Sequence, residues 1–207
     1  MKIWFTSDLH FNHRNLLKLG KGRPFSTVEE HDETIINNWN KVVAKEDLVY
    51  ILGDIALSCP NEKLIEYFKR LNGAKHLILG NHDRKKELTE LLNKNLLQSV
   101  RDYYELKYKT QEGRDYKFVL SHYPILEFNN AHRINWCIHL YGHIHNTVNY
   151  DKIYKKLKFI AFHIGLDTNN YTPVYIEDII KKAQKQELLF NKRKENDRKI
   201  ENCSESR

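Results

Sequence analysis

Leu48-Val49-Tyr50-Ile51-Leu52 runs directly into Gly53-Asp54, so five apolar residues are closed by a turn residue and a carboxylate. An unbroken apolar run of that length, bounded by a turn signal, predicts a strand buried on both faces. A carboxylate just beyond it would sit on a loop at the strand's carboxyl end, where α/β sheets gather their chemistry. The same construction recurs on either side. Lys2–Thr6 leads to Asp8-Leu9-His10, and His76–Leu79 leads to Gly80-Asn81-His82-Asp83. Further on, Tyr116–Leu120 leads to Ser121-His122, and His139–Tyr141 to Gly142-His143-Ile144-His145.

The intervening segments read as helices or turns. Val28–Val43 carries Ile35, Ile36, Trp39, Val42 and Val43 at helical spacing, with Ser26 or Thr27 as cap and Glu29 and Glu30 in the first turn. Asn61–Leu71 turns Leu64, Ile65, Phe68 and Leu71 inward and stops at Asn72-Gly73, and a helix follows from about Arg84 to Asn93. Tyr103–Lys109 and Tyr116–Leu120 alternate about a turn at Gln111–Arg114, which predicts an antiparallel hairpin. Lys158–Ile164 is a further strand. A βαβαβα order followed by consecutive strands fits a mixed sheet, or a pair of sheets, flanked by helices.

The chain of 207 residues is long enough for one well-buried domain, placed at 1–180. With 41% hydrophobic and 29% charged residues it has the composition of an ordinary globular protein. No apolar stretch approaches the roughly 20 residues of a membrane span, and Asp8 arrives too early for a signal peptide. Cys59, Cys137 and Cys203 form no CxxC pair and no disulfide framework, so the expected location is the reducing cytoplasm. Of the net charge of +7, residues 181–207 supply +4, from nine Lys/Arg against five Asp/Glu. That segment begins as a helix at Ile176, loses its apolar residues after Phe190, and is expected to be a basic helical, frayed or disordered tail. Nucleic acid is a candidate partner through this tail, against the plainer reading of a solubilising extension.

Carboxylates, imidazoles and one carboxamide on five strand-end loops are the donors for a pair of metal ions. Hydrolysis of a phosphate ester needs neutralised phosphoryl charge, an activated water and help for the departing oxygen. Two ions about 3.5–4 Å apart supply the first two together. A carboxylate shared by both ions is the natural bridge, and Asp54 on its tight turn is the choice for it. Asp8 and His10, two apart with a turn at Leu9, are expected to converge on one ion. The same spacing of His143 and His145 can serve neighbouring ions. Nitrogen and oxygen donors without thiolate suit Mn²⁺, Fe, Ni²⁺ or Zn²⁺ better than Ca²⁺ or Mg²⁺, and Mn²⁺ is expected to support activity in vitro.

The ordered set D-x-H, G-D, G-N-H-D, H and G-H-x-H resembles the calcineurin-like metallophosphoesterase superfamily. Asp8-Leu9-His10-Phe11-Asn12-His13, Arg23-Pro24-Phe25, His122-Tyr123-Pro124, Gly165-Leu166-Asp167 and Pro173 resemble a small bacterial and phage branch of it. The resemblance covers roughly residues 1–180 and implies a four-layer αββα sandwich. It implies that Asp8, His10, Asp54 and His145 hold one metal, and Asp54, Asn81, His122 and His143 the other. It gives His82 phosphate contact and protonation of the leaving oxygen, with Asp83 orienting its ring, and makes a metal-bridging hydroxide the nucleophile.

Asn12, His13 and Arg23 are further candidates for substrate contact, weighed against helix-start capping for the first two and a loop anchor beside Pro24 for Arg23. His163, before Gly165, is a candidate to line the site, whereas His31, His76, His132 and His139 match no motif position. The expected activity is hydrolysis of phosphodiesters of nucleotides or nucleic-acid ends. The alternatives are a phosphomonoesterase acting on small metabolites and a non-catalytic, metal-bound interaction module. A compact chain without a cluster of phosphate-gripping arginines tilts the choice toward diesters.

Overall fold

The computed structural model describes residues 1–18, 23–145 and 150–205, with the side chains of 151 and 193–205 outside the description. Two sheets stack between helices. The first contains β1 (Ile3–Thr6), β2 (Leu48–Leu52), β3 (Ala74–Ile78), β4 (Ser99–Arg101) and β9 (Val174–Tyr175), in the order β4-β3-β2-β1-β9. Its four longer-range pairings are parallel except for β9, which runs antiparallel to β1. The second contains β5 (Tyr104–Lys109), β6 (Asp115–Leu120), β7 (Cys137–Tyr141) and β8 (Ala161–His163), in chain order. There β5 and β6 form the expected hairpin, while β6, β7 and β8 run parallel.

Strand alternation sorts the side chains into layers. Trp4, Val49, Ile51 and Leu77 face α1 (Val28–Val42), α2 (Asn61–Arg70) and α3 (Lys85–Asn93). Phe5, Tyr50, Leu52 and Ile78 face the other way and meet Phe118, Leu120, Ile138 and Leu140 of the second sheet. The outer face of that sheet places Tyr141 and Ala161 against Tyr154 of α4 (Tyr150–Leu157). Helix, sheet, sheet and helix are therefore the four layers, and the mixed-sheet α/β class expected from the element order is the one observed.

Local chemistry accounts for the elements. Thr27 Oγ1 accepts from the Glu30 backbone N–H at 3.1 Å, and Glu30 Oε2 accepts from the Ser26 N–H at 2.9 Å, a reciprocal cap that starts α1. Ile35 and Trp39, both fully buried, anchor it, and truncating a buried tryptophan costs roughly 3–5 kcal/mol. Three elements had no counterpart in the sequence reading: β4, α4 and β9. The 158–164 strand shrinks to Ala161–His163, because α4 ends at Leu157. The last element, α5 (Ile176–Glu205), is helical along its described length and buried where Ile176, Ile179, Ile180 and Ala183 cover the inter-sheet core. The charges of the basic tail from 193 onward lie outside the described side chains. Among the described residues no helix is long and apolar enough to cross a membrane.

Because β1, β2, β3, β6 and β7 run in parallel within their sheets, their carboxyl ends gather on one rim. A backbone seam between the sheets brings the two sets together: Ser7 bridges Gly165, and the Leu166 N–H donates to Ser7 O at 3.2 Å.

Candidate metal centre

Beyond β1 and β2 the chain continues side by side. Asp8 N–H donates to Gly53 O, His10 N–H to Asp54 O and Phe11 N–H to Ile55 O, each at 3.0 Å. Along this ladder Asp8, His10, Asn12 and Asp54 take positive φ values of 58°, 50°, 61° and 57°. His143 and His145 do likewise at 69° and 46°. Left-handed residues at alternate positions, rather than a turn at the buried Leu9, aim Asp8 and His10 to one side. Such conformations are costly for non-glycine residues and concentrate where function demands a direction.

Glycines let the loops close. A Cβ on Gly80 would lie 2.2 Å from Asp54 Oδ1 and 2.5 Å from Asp54 N. Gly53, with φ of 87°, would similarly press a Cβ to 2.4 Å from His122 Nδ1.

The donors fall into two groups. Asp8, His10 and His145 converge in one, and Asp54, His122 and His143 in the other, with the donor atoms of each within 4.8 Å of one another. Asp54 Oδ2 lies 3.7 Å from His10 Nε2 and 3.6 Å from His122 Nε2, between the groups. Asn81 Oδ1 lies 3.0 Å from His122 Nε2, and His143 Nδ1 lies 3.2 Å from the same atom. His10 Nε2 and His145 Nε2 face each other at 3.2 Å. The two spaced histidines thus part company, His143 joining one group and His145 the other.

The tautomers follow from the outer contacts. His122 Nδ1 donates to Leu52 O at 2.8 Å, which leaves a lone pair on Nε2 pointing at the Asn81 carbonyl oxygen. His145 Nδ1 donates to Asp167 Oδ2 at 2.6 Å, leaving its Nε2 lone pair toward His10. Lone pairs set against lone pairs and carboxylates at such distances repel unless a cation lies among them. This donor set fits a pair of divalent ions. Burial pushes the His10 imidazole well below its ordinary range, helped by Arg23 and the neighbouring rings, which favours the neutral ring a metal would need. Burial likewise lowers His143. Burial raises the Asp8 carboxyl against the pull of His145, while both its oxygens accept from the His143 N–H at 3.1 Å and Oδ2 also accepts from the Ser7 hydroxyl.

His82 stands at the rim, its ring 38% exposed, with Nε2 4.0 Å from Asp54 Oδ2 and its N–H donating to Asp54 Oδ1 at 2.9 Å. Among the described contacts Asp83 makes none with that ring. Its carboxylate accepts three backbone N–H groups, from Asp54 at 3.0 Å, Ile55 at 2.9 Å and Gly80 at 2.8 Å, and so clamps the third loop onto the second. A carboxylate that accepts three amides from two loops acts as a fastener between them.

The candidates for substrate contact separate. His13 lies at the edge of the site, its ring 5.2 Å from that of His10 and 6.5 Å from that of His82. Asn12 binds Ser58 O through Nδ2 at 2.8 Å and accepts from Lys63 Nζ at 3.0 Å. Arg23 is 3% exposed and turned inward. Its Nε and Nη2 hold Asp167 at 2.8 and 3.2 Å, Nη1 donates to Leu9 O at 2.9 Å, and Nη2 donates to Asp8 O. Because arginine can only donate, His31 Nε2 at 2.7 Å is the acceptor and His31 Nδ1–H faces Asp32 Oδ1 at 2.7 Å. Asp32 in turn accepts from Tyr67 Oη and the Asn12 N–H. Burial would raise Asp167, but the bond from His145 and the Arg23 guanidinium hold it far below the ordinary carboxylate range. His31, Asp32 and the role of Asp167 escaped the sequence reading. Gly165-Leu166-Asp167 was visible as a motif, but nothing in it pointed to a partner 144 positions away. His163 lies beside Gly165, with burial pushing its pKa down to about 4.

The family model described as calcineurin-like phosphoesterase matches residues 1–200. The chain belongs to this family. An uncharacterized protein of Methanocaldococcus jannaschii is 35% identical over 192 residues, covering 91% of this chain and 94% of that protein. The Gene 66 protein of Mycobacterium phage D29 is 31% identical over 181 residues, covering 80% of this chain and 87% of its own length. Among solved structures, a protein of unknown function from Aquifex aeolicus superposes with a TM-score of 0.66 at 25% identity, covering 87% of this chain and 98% of its own. Family membership agrees with the two His/Asp groups, which are consistent with a dimetal site.

Proposed function

We propose that this calcineurin-like protein is a metal-dependent phosphoesterase that hydrolyses phosphodiesters of nucleotides or nucleic-acid ends. The observation that carries the reading is Asp54 Oδ2, set 3.7 and 3.6 Å from imidazole nitrogens of the two groups. Asp8, His10, Asp54 and His145 would hold one divalent ion, and Asp54, Asn81, His122 and His143 the other. A bound ion pair supplies charge neutralisation at the phosphoryl group and lowers the pKa of water toward neutrality. Mn²⁺ is our choice of ion for activity in vitro, with Fe, Ni²⁺ and Zn²⁺ as alternatives.

The chain's own residues do the rest. His122 and His145 are fixed in the tautomers that present Nε2, by Leu52 O and Asp167 respectively. Asp83 and Gly80 hold the third loop so that Asn81 and His82 flank Asp54. His82, partly exposed at the rim, contacts the phosphate and gives its proton to the departing oxygen, a step worth roughly 10²–10⁴-fold. Arg23, buried beneath the first loop, supports Asp8 and Asp167 rather than substrate.

A Mn²⁺-supplemented screen of mono-, di- and cyclic phosphoesters tests the proposal. Turnover of diesters above monoesters is expected. A monoester preference would transfer the chain to the phosphatases, and two bound metals without turnover of any ester would leave a non-catalytic module.

A further inference from the structure

A groove of 490 Å³ begins at His13 and Asn12 and is walled by Arg14, Ser58 and Lys63. His13 is common to the groove and to the edge of the metal centre, its ring 5.2 Å from that of His10 and 6.5 Å from that of His82. Its floor is built. Asn12 takes a left-handed φ of 61°, and its carboxamide is pinned by Ser58 O at 2.8 Å. That leaves Oδ1 to hold the Lys63 ammonium at 3.0 Å, with the Tyr67 ring 5.5 Å from the same nitrogen. Among the described residues Lys63 makes no ion pair with a carboxylate. Among the described residues the second cation, Arg14, pairs with Glu29 alone, at 4.0 Å with both side chains mostly exposed, a contact too weak to hold it.

A half-buried ammonium with neutral partners, beside a second loosely held cation, is a place for an anion. Resting on the phosphoesterase reading above, we infer that this groove is a subsite for a second, terminal phosphate of a nucleotide substrate, gripped by Lys63 and Arg14 while the scissile phosphate lies at the metal centre. The groove starts at His13, 6.5 Å from the His82 ring, so the part of the substrate placed there is the side that departs. Asn12 is a positioning residue, since it acts through the ammonium it holds.

The test compares binding of a methylphosphonate-linked thymidine dinucleotide, which resists cleavage of its internal linkage, with and without a phosphate at its 5′ or 3′ end. The terminal phosphate is expected to tighten binding about five-fold, the upper range for one partly exposed ion pair. Lys63→Gln should abolish that preference and Lys63→Arg should keep it. No preference in the unaltered protein, or an equal loss for both ligands in Lys63→Gln, would overturn the subsite. Turnover of bis(p-nitrophenyl) phosphate, which has no second phosphate, separates this inference from the reading it rests on. Failure there with the binding preference intact counts against the diesterase reading and keeps the anion site. An octamer with the same terminal phosphate identifies the source: binding tighter than the dinucleotide assigns the groove to nucleic-acid ends, equal binding to small nucleotides.

Discussion

Asp167→Asn separates orientation of the proposed metal ligand His145 from mere stability. In the native arrangement the carboxylate serves two donors, Arg23 through parallel bonds at 2.8 and 3.2 Å and His145 Nδ1 at 2.6 Å. Asparagine has one acceptor oxygen and one amide that only donates. If the oxygen keeps His145, the amide meets the Arg23 N–H groups donor to donor. If the amide turns to His145, that ring must carry its proton on Nε2, where the lone pair for a cation should be. Both arrangements lose the negative charge beside a guanidinium whose side chain is 1% exposed. Leaving a buried charge without its partner costs roughly 3–5 kcal/mol. That corresponds to a fall in Tm on the order of 10 °C for a domain of this size. Loss of such an outer contact weakens metal binding about 10–100-fold.

The loss should fall on one ion. The group of Asp8, His10 and His145 contains the affected ring, whereas Asp54, His122 and His143 do not touch Asp167 among the described contacts. A calorimetric Mn²⁺ titration of Asp167→Asn should therefore resolve one site near native affinity and one weakened site. Arg23→Lys keeps the charge but not the two-pronged geometry, and should show a smaller loss in both measurements. Two equivalents bound at native affinity, together with an unchanged Tm, would refute the reasoning.

His82→Ala should retain both metals in a titration yet slow turnover by roughly 10²–10⁴-fold, with a smaller loss on p-nitrophenyl esters; equal loss on every leaving group would argue against proton donation. Gly80→Ala drives a Cβ to 2.5 Å from the Asp54 backbone nitrogen, which cannot move aside, so Mn²⁺ uptake should fall at both groups; normal uptake would show that the second and third loops need not touch. His139 is fully buried between Val119 O at 3.0 Å and the Ile125 N–H at 3.2 Å, and burial pushes its pKa from 6.5 to about 4. The unfolded chain takes up this proton below 6.5 and the folded chain only below about 4. The contribution is thus complete above 6.5 and is lost as pH falls toward 4, reaching roughly 2 kcal/mol at pH 5. Thermal unfolding of His139→Gln should accordingly show a shallower fall in Tm between pH 7 and pH 5 than the unaltered protein, and parallel curves would count against it.

Much of this architecture can be read without coordinates because its signals are local. The runs ending at Thr6, Leu52 and Leu120 announce strands, and the polar residues just past them announce the rim. What escapes is either too short or too distant. Ser99–Arg101 and Val174–Tyr175 become strands only because a neighbouring edge supplies partners, an effect of tertiary pairing that three and two residues cannot signal alone. The inward turn of Arg23 depends on Asp167, 144 residues away, and on carbonyls of the first loop. An arginine beside a candidate site reads equally as substrate clamp or as support until those acceptors are placed. Asp83 is similar: the G-N-H-D motif places a carboxylate next to His82, but three amides from two loops claim it first.

The left-handed residues show what the site demands of the fold. Asp8, His10, Asp54, His143 and His145 are five of the seven metal-ligand candidates, and each holds a backbone conformation that glycine would adopt freely. Each costs of order 1–3 kcal/mol as a non-glycine residue. Nothing in their sequence spacing reveals it, since i, i+2 on a strand would also aim both side chains to one face. The structure offsets the cost with bonds that exist only in this shape: the ladder from Asp8 to Phe11 onto the second loop, the His143 N–H on the Asp8 carboxylate, and the three amides on Asp83. A glycine at any of the five would relieve strain and remove a candidate donor. Five of the twelve non-glycine residues with positive φ among the described residues are candidate metal ligands, and aspartate and histidine are among the side chains that accept this conformation most readily, so the residue types that suit a metal also suit the backbone shape that aims them.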